Sequence, residues 1–280
     1  MAAINSLTKV PSVLSSNPVL FVPIVALYIL ISIQTVSQSV FPIVGALVSL
    51  VVSGLLIFVA PLFHGGTIGM TNEAATSGRT SLGSFLSYGK QYYLSVLGAY
   101  LLFLAIMIAL FIVGGIAAAI VAVGYFTVGE SLAVLVVGGL VGLVVVALYL
   151  GLSMALQFYA HAIVIEQYNA VDSLTRSLTV VRQNLRSVVG YFGILLAGGA
   201  FILVVYGGLL WVSPVDFVAE PGTVSLSAAL IEALLTVVVL APVGAVYLVY
   251  SVLFYRSLLG ETPVLNGPGQ STDATVESSA

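Results

Sequence analysis

Residues 162–195 read AIVIEQYNAVDSLTRSLTVVRQNLRSVVGYFGIL and hold three of the seven basic residues of the chain, Arg176, Arg182 and Arg186. Apolar residues recur here at alternating steps of three and four: Val171, Leu174, Leu178, Val181, Leu185 and Val188. This spacing predicts one face of an α-helix, with the arginines on the other face. Because long apolar runs flank the stretch, we expect the helix to lie in a membrane surface with its arginines toward lipid phosphate.

The composition of the chain supports a membrane environment. Of its 280 residues, 60% are hydrophobic and 6% are charged. Soluble domains have about 25% charged residues, so a water-facing surface for a chain of this size cannot be built from this sequence. The solvent of most of the chain is therefore expected to be lipid. The absence of cysteine excludes disulfides and thiolate metal sites.

Long charge-free runs predict an all-α, polytopic membrane protein with six transmembrane helices in three hairpins, because a span needs about 20 apolar residues. One transmembrane domain, residues 1–259, is expected, followed by a disordered cytoplasmic tail, residues 260–280, rich in Gly, Ser and Thr. The predicted spans are about 18–37, 40–63, 94–123, 131–165, 187–212 and 226–256. Turns are expected at residues 37–39, 65–66 and 124–130.

A short amphipathic helix is expected before each hairpin. The first covers residues 3–16 and the second lies around residues 82–93. The third covers residues 169–188, within the opening stretch 162–195. Asn169 is a predicted N-cap of the third helix. Asp172 and Arg176 have the spacing of an i,i+4 ion pair. Three segments that begin at Ser6, Ser81 and Ser173 open with Ser-Leu and lead through a short amphipathic helix into a hairpin, which is compatible with a three-fold architectural repeat.

The basic residues fix an expected orientation. With six spans, all seven fall on one side of the membrane, whereas the opposite loops hold only Glu130, Asp216 and Glu220. Because positive residues favour the cytoplasmic side, both termini are expected in the cytoplasm and the protein in the cell membrane. Contacts with lipid headgroups are predicted for five of these residues: Arg176, Arg182, Arg186, Lys9 and Lys90.

Residues 163–192 resemble a known pattern: an acidic residue leaving a helix, then a Ser-Leu-x-Arg-Ser segment, then Arg-x-Asn before the next helix. The matching residues are Glu166, Ser177, Arg182 and Asn184. The pattern is similar to the membrane domain attached to some glycerophosphodiester phosphodiesterases and to stand-alone, uncharacterised relatives. The acidic, lysine-poor tail resembles haloarchaeal members. No soluble segment is long enough for the phosphodiesterase barrel of about 250 residues, so no hydrolase residues carry over.

A polar stripe is predicted on the fourth span, where four polar residues repeat at i,i+4 spacing: Tyr149, Ser153, Gln157 and His161. Because polar groups in lipid need partners, the stripe should face the interior of the helix bundle. Two interpretations stay open. The stripe could form a solute or proton path, or it could provide hydrogen bonds between helices.

The sequence offers no catalytic constellation, phosphate loop or zinc motif, so we expect neither enzymatic activity nor a cofactor or metal. One hypothesis is a non-enzymatic scaffold or partner subunit that binds lipid through its interfacial helices. The other is a transporter of a small solute or lipid, favoured by the polar stripe and by prolines in the spans. Membrane lipids are expected partners. For a protein partner two alternatives stay open, another membrane protein or a second copy of the chain. The formal charge of −3 gives no reason to expect nucleic acid.

The predicted topology can be tested with single cysteines introduced at Thr76, Phe126 and Glu220. A reagent that cannot cross the membrane should label the second and third positions from outside, because each follows an odd number of spans. It should not label Thr76 in intact cells. Labelling at Thr76 without labelling at Phe126 would contradict the orientation.

Overall fold

A computed structural model describes residues 2–129, 131–211 and 224–261 of the chain. Within these ranges the chain is helical. A 3₁₀ turn, Pro18–Leu20, connects the first two of ten α-helices. The helices are α1 Ala2–Ser16, α2 Phe21–Val40, α3 Pro42–Ser77, α4 Leu82–Gln91, α5 Tyr93–Val128, α6 Leu132–Leu156, α7 Tyr159–Glu166, α8 Ala170–Gln183, α9 Leu185–Trp211 and α10 Leu226–Leu258.

Six segments of the described chain are long and apolar enough to cross a membrane. They are Pro18–Val40, Pro42–Ser77, Tyr93–Thr127, Leu132–Glu166, Leu185–Trp211 and Leu226–Leu258. The chain is therefore an all-α, multi-pass membrane protein, and the predicted six spans are confirmed. The three short helices expected before the hairpins are also present, as α1, α4 and α8.

The buried residues concentrate at one end of the bundle. There the short helices α1, α4, α7 and α8 pack with residues 65–77 of α3 and residues 249–258 of α10. We call this packed region the base layer. Away from it the spans are loosely packed. In the most apolar window of each span, the share of residues buried within the chain is highest for Leu226–Leu258, at 44%, and is zero for Leu132–Glu166. The apolar surface of the spans is therefore left for lipid or other membrane helices.

The polar turn predicted at residues 37–39 is wrong, because these residues belong to α2. The hydroxyls of Ser37 and Ser39 donate to backbone carbonyls one turn earlier, at 2.7 Å and 3.0 Å, so they need no water. The chain turns at Phe41 alone. Gln38 then donates to Ser49 across the hairpin. The small residues of this part of α3 thus serve packing between α2 and α3.

The predicted end of the second span at Pro61 and Gly65-Gly66 is also wrong. Helix α3 continues through all three residues to Ser77, and Gly78 then ends it with a left-handed φ of 76°. A helix of 36 residues is about 54 Å long, more than the hydrocarbon core requires. Its last turns therefore lie in the base layer.

Close packing against α4 explains the glycines of α3. A Cβ added at Gly66 would lie 2.6 Å from the backbone oxygen of Phe85, and Gly69 makes a similar close approach to Tyr88. From the other side, a Cβ at Gly89 would lie 2.8 Å from the backbone oxygen of Leu62. These glycines let two helix backbones approach each other, and they do not end the helix.

Two further boundaries differ from the prediction. The break expected at residues 124–130 is wrong up to Val128, because α5 continues to that residue and ends before Gly129, whose φ is 83°. Thr127 is helical, and its hydroxyl donates to the carbonyl of Val123 at 2.8 Å. The fourth span is not one continuous helix, since α6 and α7 are separated at residues 157–158.

The loop at residues 212–223 and the predicted tail beyond Glu261 lie outside the described residues.

The glycine contacts of α3 give a test with a matched control. Gly66→Ala should destabilise the folded protein by about 1–3 kcal/mol, because the new methyl overlaps the α4 backbone. Gly54→Ala on the same helix should be neutral or slightly stabilising, because nothing lies within 4 Å of that position. Unfolding of both variants in mixed micelles measures the difference. Equal stability of the two variants would show that α3 and α4 are not in close contact.

Candidate functional site

The break between α6 and α7 is held open by a serine from α8. The hydroxyl of Ser177 accepts a hydrogen bond from the backbone N–H of Phe158 at 3.1 Å and donates one to the carbonyl of Ala155 at 2.8 Å. Ser177 has no exposed surface. A side chain inserted in this way into a helical hydrogen-bond ladder is a recognised cause of a helix kink. The bend directs α7 into the base layer and fixes α8 beneath it.

A charged cluster joins α7, α8 and α10. Nη2 of Arg176 lies 2.7 Å from Oε2 of Glu166, and Nε of Arg176 donates to the same carboxylate at 3.0 Å. The hydroxyl of Tyr255 donates to the other oxygen of Glu166. The pKa of Arg176 is raised above its usual value, chiefly because the guanidinium donates to Glu166. The backbone of Gln167 has a left-handed φ of 63°, which ends α7 and reverses the direction of the chain. This reversal lets Arg176 of α8 reach Glu166 of α7.

The observed ion pair corrects a sequence prediction. Arg176 pairs with Glu166, ten residues earlier, and not with Asp172, the predicted i,i+4 partner. Asp172 instead accepts from the side chain of Asn169 at 2.6 Å. The predicted N-cap is confirmed, because the Asn169 side chain accepts from the backbone N–H groups of Val171 and Asp172. The turn between α7 and α8 is therefore defined by the hydrogen-bonded carboxylate of Glu166 and by the N-cap at Asn169.

Two more polar contacts tie α10 into the base layer. Nε2 of His161 lies 3.1 Å from the hydroxyl of Ser251, both of them buried. Arg256 donates to Asn72 of α3 at 2.6 Å and pairs with Glu261 at 2.8 Å. The contacts of His161 with Ser251 and of Arg256 with Asn72 connect residues far apart in sequence. The polar groups of the base layer thus bind helices to one another.

The structure separates the four residues of the predicted polar stripe. Gln157 lies at the break and His161 is buried in the base layer, whereas Tyr149 is 54% exposed. Tyr149 lines a cavity of about 490 Å³ between α5 and α6 whose other walls are apolar. Ser153 is half-buried in α6. Because of the kink, the i,i+4 pattern does not continue as one straight face from α6 into α7.

The five predicted headgroup contacts also have different environments. Arg176 is engaged by Glu166 in the base layer. Arg182, Arg186 and Lys90 are exposed, and Lys9 is half-exposed. Of the three arginines on the opening stretch, Arg182 and Arg186 are therefore exposed, whereas Arg176 is partly buried and bound by Glu166.

Sequence reasoning missed the serines of α8. Ser173 and Ser177 are both fully buried, whereas Val171, on the predicted apolar face, is 62% exposed. The i,i+4 serine pair was the available signal, because small polar residues allow close helix contact inside membrane proteins. The roles of Asn72 and Tyr255 had no local signal, since each depends on a partner from a distant part of the sequence.

No group of three or more His, Asp or Glu side chains within residues 2–129, 131–211 and 224–261 could hold a metal ion. Comparison with known proteins gives one result. Residues 1–258 match a family described as "Domain of unknown function (DUF7847)". The chain belongs to this family. No curated protein and no solved structure matches it. The matched residues include the base layer and all six spans.

The role of Ser177 can be measured directly. Ser177→Ala should lower the free energy of unfolding by about 1–3 kcal/mol, because it leaves the buried N–H of Phe158 without a partner. Thr179→Ala is the control, since Thr179 donates only to a carbonyl of its own helix, at 2.9 Å, and the expected change is within about 0.5 kcal/mol. Both variants can be unfolded in mixed micelles. A neutral Ser177→Ala would show that the break needs no bridge from α8.

Proposed function

We propose that the protein is a non-enzymatic membrane scaffold or partner subunit of the cell membrane, with both termini in the cytoplasm. The observation that carries this proposal is the contrast between the packed base layer and the open spans. A rigid end combined with unpartnered apolar helices suits a protein that organises lipid or other membrane proteins. In this proposal α1, α4 and α8 lie at the membrane surface.

The contacts of the base layer support a structural role for its charged groups. Glu166 is bound by both Arg176 and Tyr255, and the guanidinium of Arg256 bridges Asn72 and Glu261. Groups held in this way stabilise one arrangement of helices, because breaking one of these contacts leaves a partly buried polar group without its partner. Catalysis would instead need a polar group that is free to meet a substrate.

The open faces of the spans support a role in assembly. Phe111 on α5 is 81% exposed and Phe201 on α9 is 67% exposed. Helix α9 also carries four consecutive small residues, Ala197–Ala200, all exposed within the chain. Small residues allow another helix to approach closely in a membrane. The resemblance to membrane domains attached to glycerophosphodiester phosphodiesterases, and a haloarchaeal source, belong to the same proposal.

A transporter is the second candidate, and one observation favours it. The amide nitrogen of Gln157 and Nδ1 of His161 are buried and have no hydrogen-bond partner among the described residues. Both lie at or next to the break between α6 and α7, where a moving solute could bind them. Against this, the cavities between α5 and α6 and between α2 and α10 have mainly apolar walls.

Site-specific crosslinking and flux measurements separate the two candidates. A photoreactive residue at Phe111 or Phe201 in native membranes should capture one reproducible protein, or a second copy of the chain, identified by mass spectrometry. The same group at Met70, which has no exposed surface, is the control and should capture nothing. Solute or proton flux in proteoliposomes that Gln157→Ala abolishes, without reproducible capture, would contradict the scaffold and support the transporter.

A further inference from the structure

Helix α8 has three distinct faces, and only one of them is fully buried against the rest of the chain. Ser173, Ser177 and Val180 form the buried face against the base layer. About 100° around the helix lies an apolar face that the chain covers only in part. Its members are Val171, 62% exposed, and the half-buried Leu174 and Leu178. The third face is polar and exposed.

The two free arginines border the apolar face at the start of a span. Arg182 is in the last turn of α8 and Arg186 is in the first turn of α9, the candidate span Leu185–Trp211. Leu185 and Val189, beside them, are 51% and 54% exposed. Exposed leucine and valine next to exposed arginine is the arrangement of a helix that enters the headgroup region with its cations at the level of the phosphates.

The carboxylates of this helix pair do not compete for these arginines. Glu166 of α7 is bound by Arg176, and Asp172 of α8 accepts from Asn169. Within residues 2–129, 131–211 and 224–261, neither Arg182 nor Arg186 forms an ion pair, so both guanidinium groups are open to a ligand that is not part of this region. An anionic oxygen acceptor is the chemical class that fits, because guanidinium groups bind phosphate through paired N–H donors.

We infer that Arg182 and Arg186, together with the partly exposed apolar face of α8, form a binding surface for the phosphate of an anionic membrane lipid. The inference rests on the proposed placement of α8 at the membrane surface and adds the lipid class and the residues that select it. It also divides the three arginines of the opening stretch by role. Arg176 holds the fold together, and the other two bind lipid.

The test uses the full chain in lipid nanodiscs made from phosphatidylcholine alone or with added phosphatidylglycerol. Hydrogen exchange of residues 170–189 should slow by roughly five- to thirty-fold in the anionic nanodiscs, the range expected for one or two juxtamembrane cations. High salt should reduce this slowing, because exposed charges are screened. Inorganic phosphate added to the neutral nanodiscs should not reproduce it, since the proposed ligand is a phosphate anchored in the membrane beside the apolar face of α8.

Variants separate lipid binding from folding. The double variant Arg182→Gln/Arg186→Gln should keep the exchange rate of the wild type in neutral nanodiscs and lose the slowing in anionic ones. Arg176→Gln should exchange faster in both, because it breaks the Glu166 ion pair, yet should still slow when phosphatidylglycerol is present. Lys90→Gln, an exposed cation on α4, should behave as the wild type in residues 170–189.

Two results would overturn the inference: an unchanged lipid response in the double variant, or equal slowing by free phosphate. Neither would remove the scaffold proposal, because capture of a partner at Phe111 or Phe201 is measured separately. Conversely, the wild-type protein could transport a solute and still show slowed exchange in anionic nanodiscs. That result would overturn the scaffold proposal and leave the lipid-binding surface standing.

Discussion

The insertion of Ser177 into the break between α6 and α7 is the contact on which the arrangement of the base layer depends. It satisfies two backbone groups that the break leaves open, and it places α8 directly under the bend. Once α8 is there, Arg176 can reach Glu166, and Glu166 can accept from Tyr255 of α10. A single hydroxyl thus connects the fourth span, the surface helix and the last span.

The sequence predicts the number and class of the helices well, because the physical signals for them are strong and local. Twenty or more apolar residues in a row have few alternatives to a transmembrane helix. The cap at Asn169 was also predictable from residue type and spacing alone. Both predictions depend on interactions within a few residues of chain.

Boundaries and faces were harder to predict, because they depend on partners distant in sequence. The pair Gly65-Gly66 is a sequence signal for the end of a helix, yet here the neighbouring α4 makes Gly66 a packing residue. Ser37 and Ser39 indicate a turn only if water is available to bind them, and in α2 they bind the helix itself. The buried face of α8 was hard to predict for the same reason. It is set by the backbone groups that the break between α6 and α7 leaves without a helical partner, and not by hydrophobicity alone.

The close contact between α3 and α4 has a consequence for the evolution of this family. Gly66 and Gly69 have no room for a side chain beside Phe85 and Tyr88, so these positions cannot vary independently. A relative that carries alanine at the position of Gly66 must compensate by a shift of α4, which would also displace Gly89 from Leu62. Pairs of substitutions across this contact should therefore be inherited together, and they would identify members that share the same base layer even where the lipid-facing residues of the spans have diverged.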